Sequence, residues 1–183
     1  RAVARVGGVG VAVPWDSSGG GGDAIDALGG RVTRTKVGDV VVAEGATREK
    51  VVFGGEPSGA WIWPDETLCP DGSLAAAKLT ALVAAEGSLA EQVASVATYP
   101  IQRRSIEVDD KTAVMEQVAA KLSDAYDDVT TIDWVRVSTA DGWVLVRPSG
   151  TQPLIRITAE AETETAADDL LAATVDRVEA ARA

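Results

Sequence analysis

The feature that most constrains the fold is a rhythm: through the first hundred residues, short valine-rich runs alternate with glycine-punctuated turns and alanine-rich stretches. This is the pattern of βα units, in which strands are joined through helices that cover a sheet. Residues 9–13 (VGVAV) predict a buried strand, followed by a flexible SSGGGG turn and a short helix closed at Gly29-Gly30. RVTRTK over 31–36 predicts a second strand. Residues 40–49 open on valines and continue as AEGATRE, which we read as a helix interrupted by Gly45. VVF at 51–53 gives a third strand, broken by Gly54-Gly55, and AWIW at 60–63 a fourth. Residues 73–86 contain LAAAKLTALVAAE, a helix with a wide apolar face closed by Gly87, after which Ser88 caps a short helix through residue 93.

The composition then shifts. TYPIQRRS over 98–105 carries a proline and paired arginines and is expected to be a linker. A short strand over 106–108 and a helix over 111–125, capped by Asp109 or Asp110, come next. WVRVS (134–138) and WVLVRP (143–148) flank TADG, whose Asp-Gly is a hairpin signal, and LIRITAEAE (154–162) alternates apolar and polar residues as a half-buried strand does. Thr165 precedes a closing helix through residue 181. The expected fold class is thus an α/β domain with a mixed βα sheet over 1–97, then a small α+β domain over 106–183, an antiparallel sheet with helices on one face.

Function classes narrow quickly. With no histidine and one cysteine (Cys69), the chain has no Ser/His or Cys/His catalytic pair, no usual zinc constellation and no internal disulfide. A net charge of −11 repels a phosphate backbone, so nucleic acid is not an expected partner. Its 28 acids are dispersed and face only 17 basic residues, a balance that suits a high-salt cytoplasm. No run approaches the ~20 apolar residues of a membrane span. The stretch from Arg1 lacks an initiator Met, a long apolar segment and a cleavage-like site, so the chain is expected to be cytoplasmic and to begin within a longer protein.

Two loops carry chemistry. RPSGTQP (147–153) lies between strands and supplies small side chains, two hydroxyls, consecutive amides and a guanidinium, which are the parts of an anion cradle: Arg147, Ser149, Gly150 and Thr151. A plain Pro-Ser-Gly turn is the competing reading. GGEPSG (54–59) presents Glu56 and Ser58 at a two-residue spacing suited to adjacent sugar hydroxyls, against the alternative of a solvated polar loop.

Together with PWDSS (14–18), TKVGD (35–39) and CPDG (69–72), these segments follow in chain order the motifs of the α-D-phosphohexomutase superfamily, which the chain resembles over nearly its whole length. RTKVGD and FGGEPSGAWIWP are most similar to archaeal phosphoglucosamine mutase-like members. Two positions depart from the commonest pattern: Ala60 where a His often stands, and Gln152 where Glu usually follows RPSGT.

The resemblance implies a third domain, N-terminally incomplete, and a fourth. It also implies an intramolecular phosphotransferase that interconverts hexose 6-phosphate and hexose 1-phosphate through a phosphoserine and a bisphosphate. Phosphoglucosamine mutase is the first expectation; phosphomannomutase, phosphoglucomutase or a non-catalytic phosphosugar-binding module are the alternatives. Arg147, Ser149, Gly150 and Thr151 are then expected to hold the substrate phosphate, and Glu56, Ser58 and Lys36 to face the sugar. No catalytic residue and no metal ligand is assigned in this chain, because no TASHNP-like serine loop and no DGDxDR loop occurs in it. Mg2+ would be held by the missing N-terminal domains, which are the expected partner besides the hexose phosphate. The chain alone is expected to be inactive. The strand at residue 9 is expected to lack the preceding strand and helix that would complete its sheet, which leaves the sheet an exposed edge.

Overall fold

A computed structural model describes residues 8–182; the first seven residues, which head the stretch read above for a leader, and the last residue lie outside it. The chain divides into two compact units between Thr98 and Tyr99.

In the first unit, β1 (Gly10–Pro14), α1 (Gly19–Ala27), β2 (Arg31–Thr35), α2 (Asp39–Ala46), β3 (Val51–Gly55) and β4 (Trp61–Ile62) form the βα alternation that the sequence predicts. The sheet order is β2-β1-β3-β4, with the first three strands parallel and β4 antiparallel. β1 is therefore not an edge: β2 and β3 pair with it on either side, and the edges are β2 and β4. The edge strand β2 carries Arg31 and Arg34, charges of the kind that discourage edge-to-edge pairing.

Both faces of this sheet are covered, as parallel strands require. Ala12, Val42, Ala46, Val51 and Ile62 pack on the α2 side. Val9 and Val11 pack with Ile25, Val32 and Phe53 in a second cluster. Trp61 and Trp63 share a strand face and meet Phe53 edge to face, with ring centroids 5.4–6.4 Å apart. They are half-buried packing residues. α3 (Gly72–Glu86) is capped by Asp71, whose carboxylate accepts from the Leu74 amide, and α4 (Leu89–Val93) by Ser88. The wide apolar face of α3 leads one to expect burial, yet none of its residues is buried.

The second unit opens with β5 (Ile101–Glu107). Residues 101–105, expected as linker, are thus most of an edge strand that pairs with the last strand of the sheet from Ile101 to Glu107. Charged Arg103 and Arg104 are tolerated there because an edge is solvated. α5 (Lys111–Ala125) follows, with Asp110 accepting from the Thr112 and Ala113 amides; Asp110, not Asp109, is its cap. Its buried Val114, Met115, Val118 and Leu122 recur at helical spacing and face the sheet core.

β6 (Val129–Thr130), β7 (Val135–Ser138), β8 (Gly142–Pro148) and β9 (Leu154–Ala161) complete an antiparallel sheet of order β5-β9-β8-β7-β6, and α6 (Glu164–Arg182) closes the unit. Two local details differ from expectation. β7 begins after Trp134 because Trp134 adopts φ 64°, a left-handed conformation that a strand cannot contain. α6 begins one residue before Thr165, and it is Thr163 whose hydroxyl accepts from the Ala166 amide at 3.2 Å.

Gly142, the glycine of the Asp-Gly pair, opens β8 instead of forming the turn. A Cβ there would overlap the Glu160 carbonyl oxygen and lie 2.7 Å from Ala161 Cα, so the glycine permits close approach of β9. Strand alternation sends Val144, Val146, Ile155, Ile157 and Ala159 into the core under α5 and α6. Each buried valine or isoleucine among them contributes roughly 1.5–3 kcal/mol. The residues between them, including Arg147 and Arg156, line the opposite face of the sheet.

Candidate functional site

In the first unit the three parallel strands end together, and loops at such carboxyl ends are where open α/β sheets place their ligands. β2 ends in the turn carrying Lys36 and Gly38, and β3 in the Gly55–Gly59 loop. The two loops are joined through one carboxylate. The Gly38 amide donates to Glu56 Oε1 at 2.7 Å, and the Ser58 hydroxyl donates to Glu56 Oε2 at 3.1 Å.

Gly38 makes this possible. At φ 134° it adopts a backbone that side chains resist, and it is also the N-cap of α2, its carbonyl accepting from Val42 at 2.9 Å. The Glu56 carboxylate therefore sits at the positive end of a helix, where negative charge is favoured. The loop is closed from within, Glu56 N–H donating to Ala60 O and Gly59 N–H to Glu56 O, each at 3.0 Å. Each Glu56 oxygen keeps a second lone pair with which to accept from a ligand hydroxyl. The structure thus brings Glu56 and Ser58 into direct contact and ties the Lys36 turn to both through Gly38. Lys36 itself is exposed.

In the second unit, the β8–β9 connection forms a tight loop. Ser149 N–H donates to Leu154 O at 2.8 Å and Leu154 N–H to Gln152 O at 2.9 Å, closing the neck. Ser149 is buried, at 4% exposure, and its Oγ accepts from the Gln152 amide at 3.3 Å. It braces the loop from inside, which is more than the open hydroxyl expected of it.

Three carbonyls of the loop, those of Ser149, Gln152 and Pro153, are tied to the rest of the unit. Pro153 O accepts from Val108 N–H at 3.0 Å, while Lys111 Nζ donates to Ser149 O at 2.7 Å and to Gln152 O at 3.1 Å. Among the described residues, the amides of exposed Gly150 and Thr151 have no acceptor. The Gly150 amide, whose peptide carbonyl Ser149 O is tied back, and the free Thr151 amide after it supply the successive donors of an anion-binding concavity.

Two residues of this site are not found by reading the sequence motifs. Arg156 lies directly across from Arg147 in the β8–β9 register, so both residues belong to the sheet face opposite the helices. Arg156 Nη2 also donates to Gln152 Oε1 at 3.3 Å. A signal for it exists, since a hairpin about the 149–153 loop pairs 147 with 156. The other, Lys111, lies 38 residues before Ser149, and no local pattern announces it. Asp110 is used as a cap, and among the described residues no group of three or more His, Cys, Asp or Glu is arranged to hold a metal ion.

Comparison with known proteins bears on both units. Residues 2–99 match the family model described as phosphoglucomutase/phosphomannomutase, alpha/beta/alpha domain III, and residues 105–177 match that of the C-terminal domain. A probable phosphoglucosamine mutase of Methanopyrus kandleri is 51% identical over 171 residues, covering 92% of this chain but 38% of that protein. A phosphoglucomutase/phosphomannomutase family protein of Burkholderia thailandensis superposes with a TM-score of 0.83 at 21% identity, over 98% of this chain and 39% of the other. Aspergillus fumigatus N-acetylphosphoglucosamine mutase, solved in complex with GlcNAc-6P and magnesium, gives a TM-score of 0.69 at 16% identity, covering 96% of this chain and 39% of that one. The chain spans about two fifths of the length of the relatives it matches, and it belongs to the phosphoglucomutase/phosphomannomutase family, of which it carries the third and the C-terminal domains.

Proposed function

We propose that this chain is the substrate-holding part of a phosphohexomutase that interconverts a hexose 6-phosphate and a hexose 1-phosphate, with glucosamine phosphate as the sugar. A phosphoserine donates its phosphoryl group to the free hydroxyl of the monophosphate. The resulting bisphosphate turns round, and the serine takes back the other phosphoryl group. Throughout, one phosphate must be held while the other reacts, and the ring must be accepted in two orientations.

The observation that carries this reading is the 149–152 loop, with its exposed Gly150 and Thr151 amides and the Arg147–Arg156 pair at its neck. These groups suit a phosphate dianion in charge and number. Glu56, with Ser58 beside it, accepts from two neighbouring sugar hydroxyls, whose places are nearly exchanged when the ring is flipped. Lys36 adds a cation on the turn tied to Glu56. The described residues offer no ligand set for the magnesium ion of such an exchange, and no step is assigned through it. Both the ion and the phosphoserine belong to further domains, so the chain by itself should not turn over. Work in the cytoplasm is part of the same proposal; among the described residues no helix is long and apolar enough to cross a membrane.

Isothermal titration of the 183-residue chain with glucosamine 6-phosphate tests the reading. Arg147→Ala should abolish measurable binding with the fold intact by circular dichroism. Equal affinity in wild type and Arg147→Ala refutes it, as does mutase turnover by the chain alone for the claim of inactivity.

A further inference from the structure

We infer that Lys111 is a positioning residue for the phosphate cradle: it fixes the 149–152 loop in its amide-outward state from behind, without touching the ligand. This rests on the reading of that loop as a phosphate site and deepens it.

Lys111 is the first residue of α5, directly after the capping Asp110, on a helix whose buried face packs against the core side of the sheet. Its ammonium reaches the loop from that side. There it donates to Ser149 O at 2.7 Å and Gln152 O at 3.1 Å, one carbonyl at each end of the loop. The sequence separations are 38 and 41 residues, so the contact is tertiary, and at Gln152 O it adds to the Leu154 amide that closes the neck.

Peptide planarity converts the bond to Ser149 O into orientation, while Gln152 O, which precedes Pro153 and so shares its peptide with no N–H, anchors the far end of the loop. In a trans peptide the carbonyl and the following N–H point in opposite directions, and the chain holds no cis peptide among its described residues. Holding Ser149 O toward the helix side therefore directs the Gly150 N–H away from it. Strand alternation puts Arg147 and Arg156 on that other side of the sheet. Residues 150 and 151 include a glycine and are exposed, so without the anchor the peptide is free to rotate and turn a carbonyl toward an incoming anion. The ammonium further offsets the partial negative charge that two carbonyls would otherwise leave behind the cradle.

The test is titration of the isotope-labelled 183-residue chain with inorganic phosphate, followed by amide NMR. In wild type the Gly150 and Thr151 amides should move on saturation. Lys111→Met should weaken phosphate by about tenfold, the scale of a charge-assisted hydrogen bond. It should also diminish the Gly150 response while the rest of the spectrum stays native. Lys111→Arg, which keeps charge and donors, should retain affinity within about threefold.

Phosphate affinity in Lys111→Met within about twofold of wild type overturns the inference, as does a Lys111→Arg variant as weak as Lys111→Met. Should Lys111→Met unfold the second unit, Lys111→Gln takes its place: a loss of about tenfold supports the inference and a change within about twofold overturns it. Arg147→Ala separates the levels: if it too binds phosphate normally, the cradle itself is wrong; if it loses phosphate while Lys111→Met does not, only the role of Lys111 falls.

Discussion

Gln152→Glu isolates the electrostatics of the cradle, because the two side chains are nearly isosteric and only a charge is added. Gln152 Oε1 accepts from Arg156 Nη2 at 3.3 Å. A carboxylate there would stand one guanidinium away from a phosphate gripped by Arg156, at a separation of about 7 Å. Against a phosphate dianion in water, the Coulomb cost at that distance is about 1.2 kcal/mol. With a Debye length of about 30 Å at 0.01 M salt, about 0.9 kcal/mol survives; with about 8 Å at 0.15 M, about 0.5 kcal/mol. These costs correspond to losses in phosphate affinity of about fivefold and about twofold. The exposed ion pair formed with Arg156 adds at most about 1 kcal/mol to stability and does not alter the sign at low salt. The assay is calorimetric titration with inorganic phosphate at about pH 8 and both ionic strengths. An affinity unchanged or raised at about 0.01 M, or a loss that is the same at both salts, refutes the reasoning.

Three further outcomes follow from single contacts. Glu56→Gln removes the charge that receives the Gly38 amide at 2.7 Å, and should weaken glucosamine 6-phosphate about tenfold in calorimetry while leaving inorganic phosphate unchanged. Gly142→Ala forces a methyl group against the β9 backbone and should destabilise the second unit by about 2–3 kcal/mol, seen as a lower urea midpoint. Trp143→Phe withdraws the indole N–H that donates to Glu160 Oε1 at 2.9 Å, on a carboxylate only 2% exposed. That change should cost about 2 kcal/mol in the same denaturation experiment.

The sequence disclosed those parts of the fold that depend on short-range periodicity. Valine runs at 9–13 and 51–53, and the alternation through 154–162, specify strands because burial on two faces or one is written directly into the residue order. Boundaries depended on groups that composition does not weigh. Residues 101–105 read as linker from Pro100 and paired arginines, yet an edge strand needs a partner for only one side and tolerates charge. Trp134 favours a strand by type and leaves it by its positive φ. α3 is apolar over a wide face, and its lack of any buried residue is not a property its own pattern encodes.

The site divides along the same line, and the division has a cause. A ligand-binding loop must expose particular atoms at particular spacings, so RPSGT and GGEPSG are recognisable from the residues alone. What holds such a loop is free to come from anywhere the fold brings near. Glu56 is expected from its motif as a sugar acceptor; that it also fastens the Gly38 turn, 18 residues away, is a consequence of the parallel strands β2 and β3 having their carboxyl ends on the same side of the sheet. Ser149 is expected to offer its hydroxyl, and its oxygen also accepts within the loop from the Gln152 amide. Lys111 arrives on a different element altogether. The exposed amides of Gly150 and Thr151 are useful to an anion only if their peptides cannot turn over, and a flexible glycine-containing loop does not provide that rigidity by itself. The chemistry of the cradle is therefore legible in the consecutive residues of RPSGT, while its preorganisation depends on a contact that spans 38 residues.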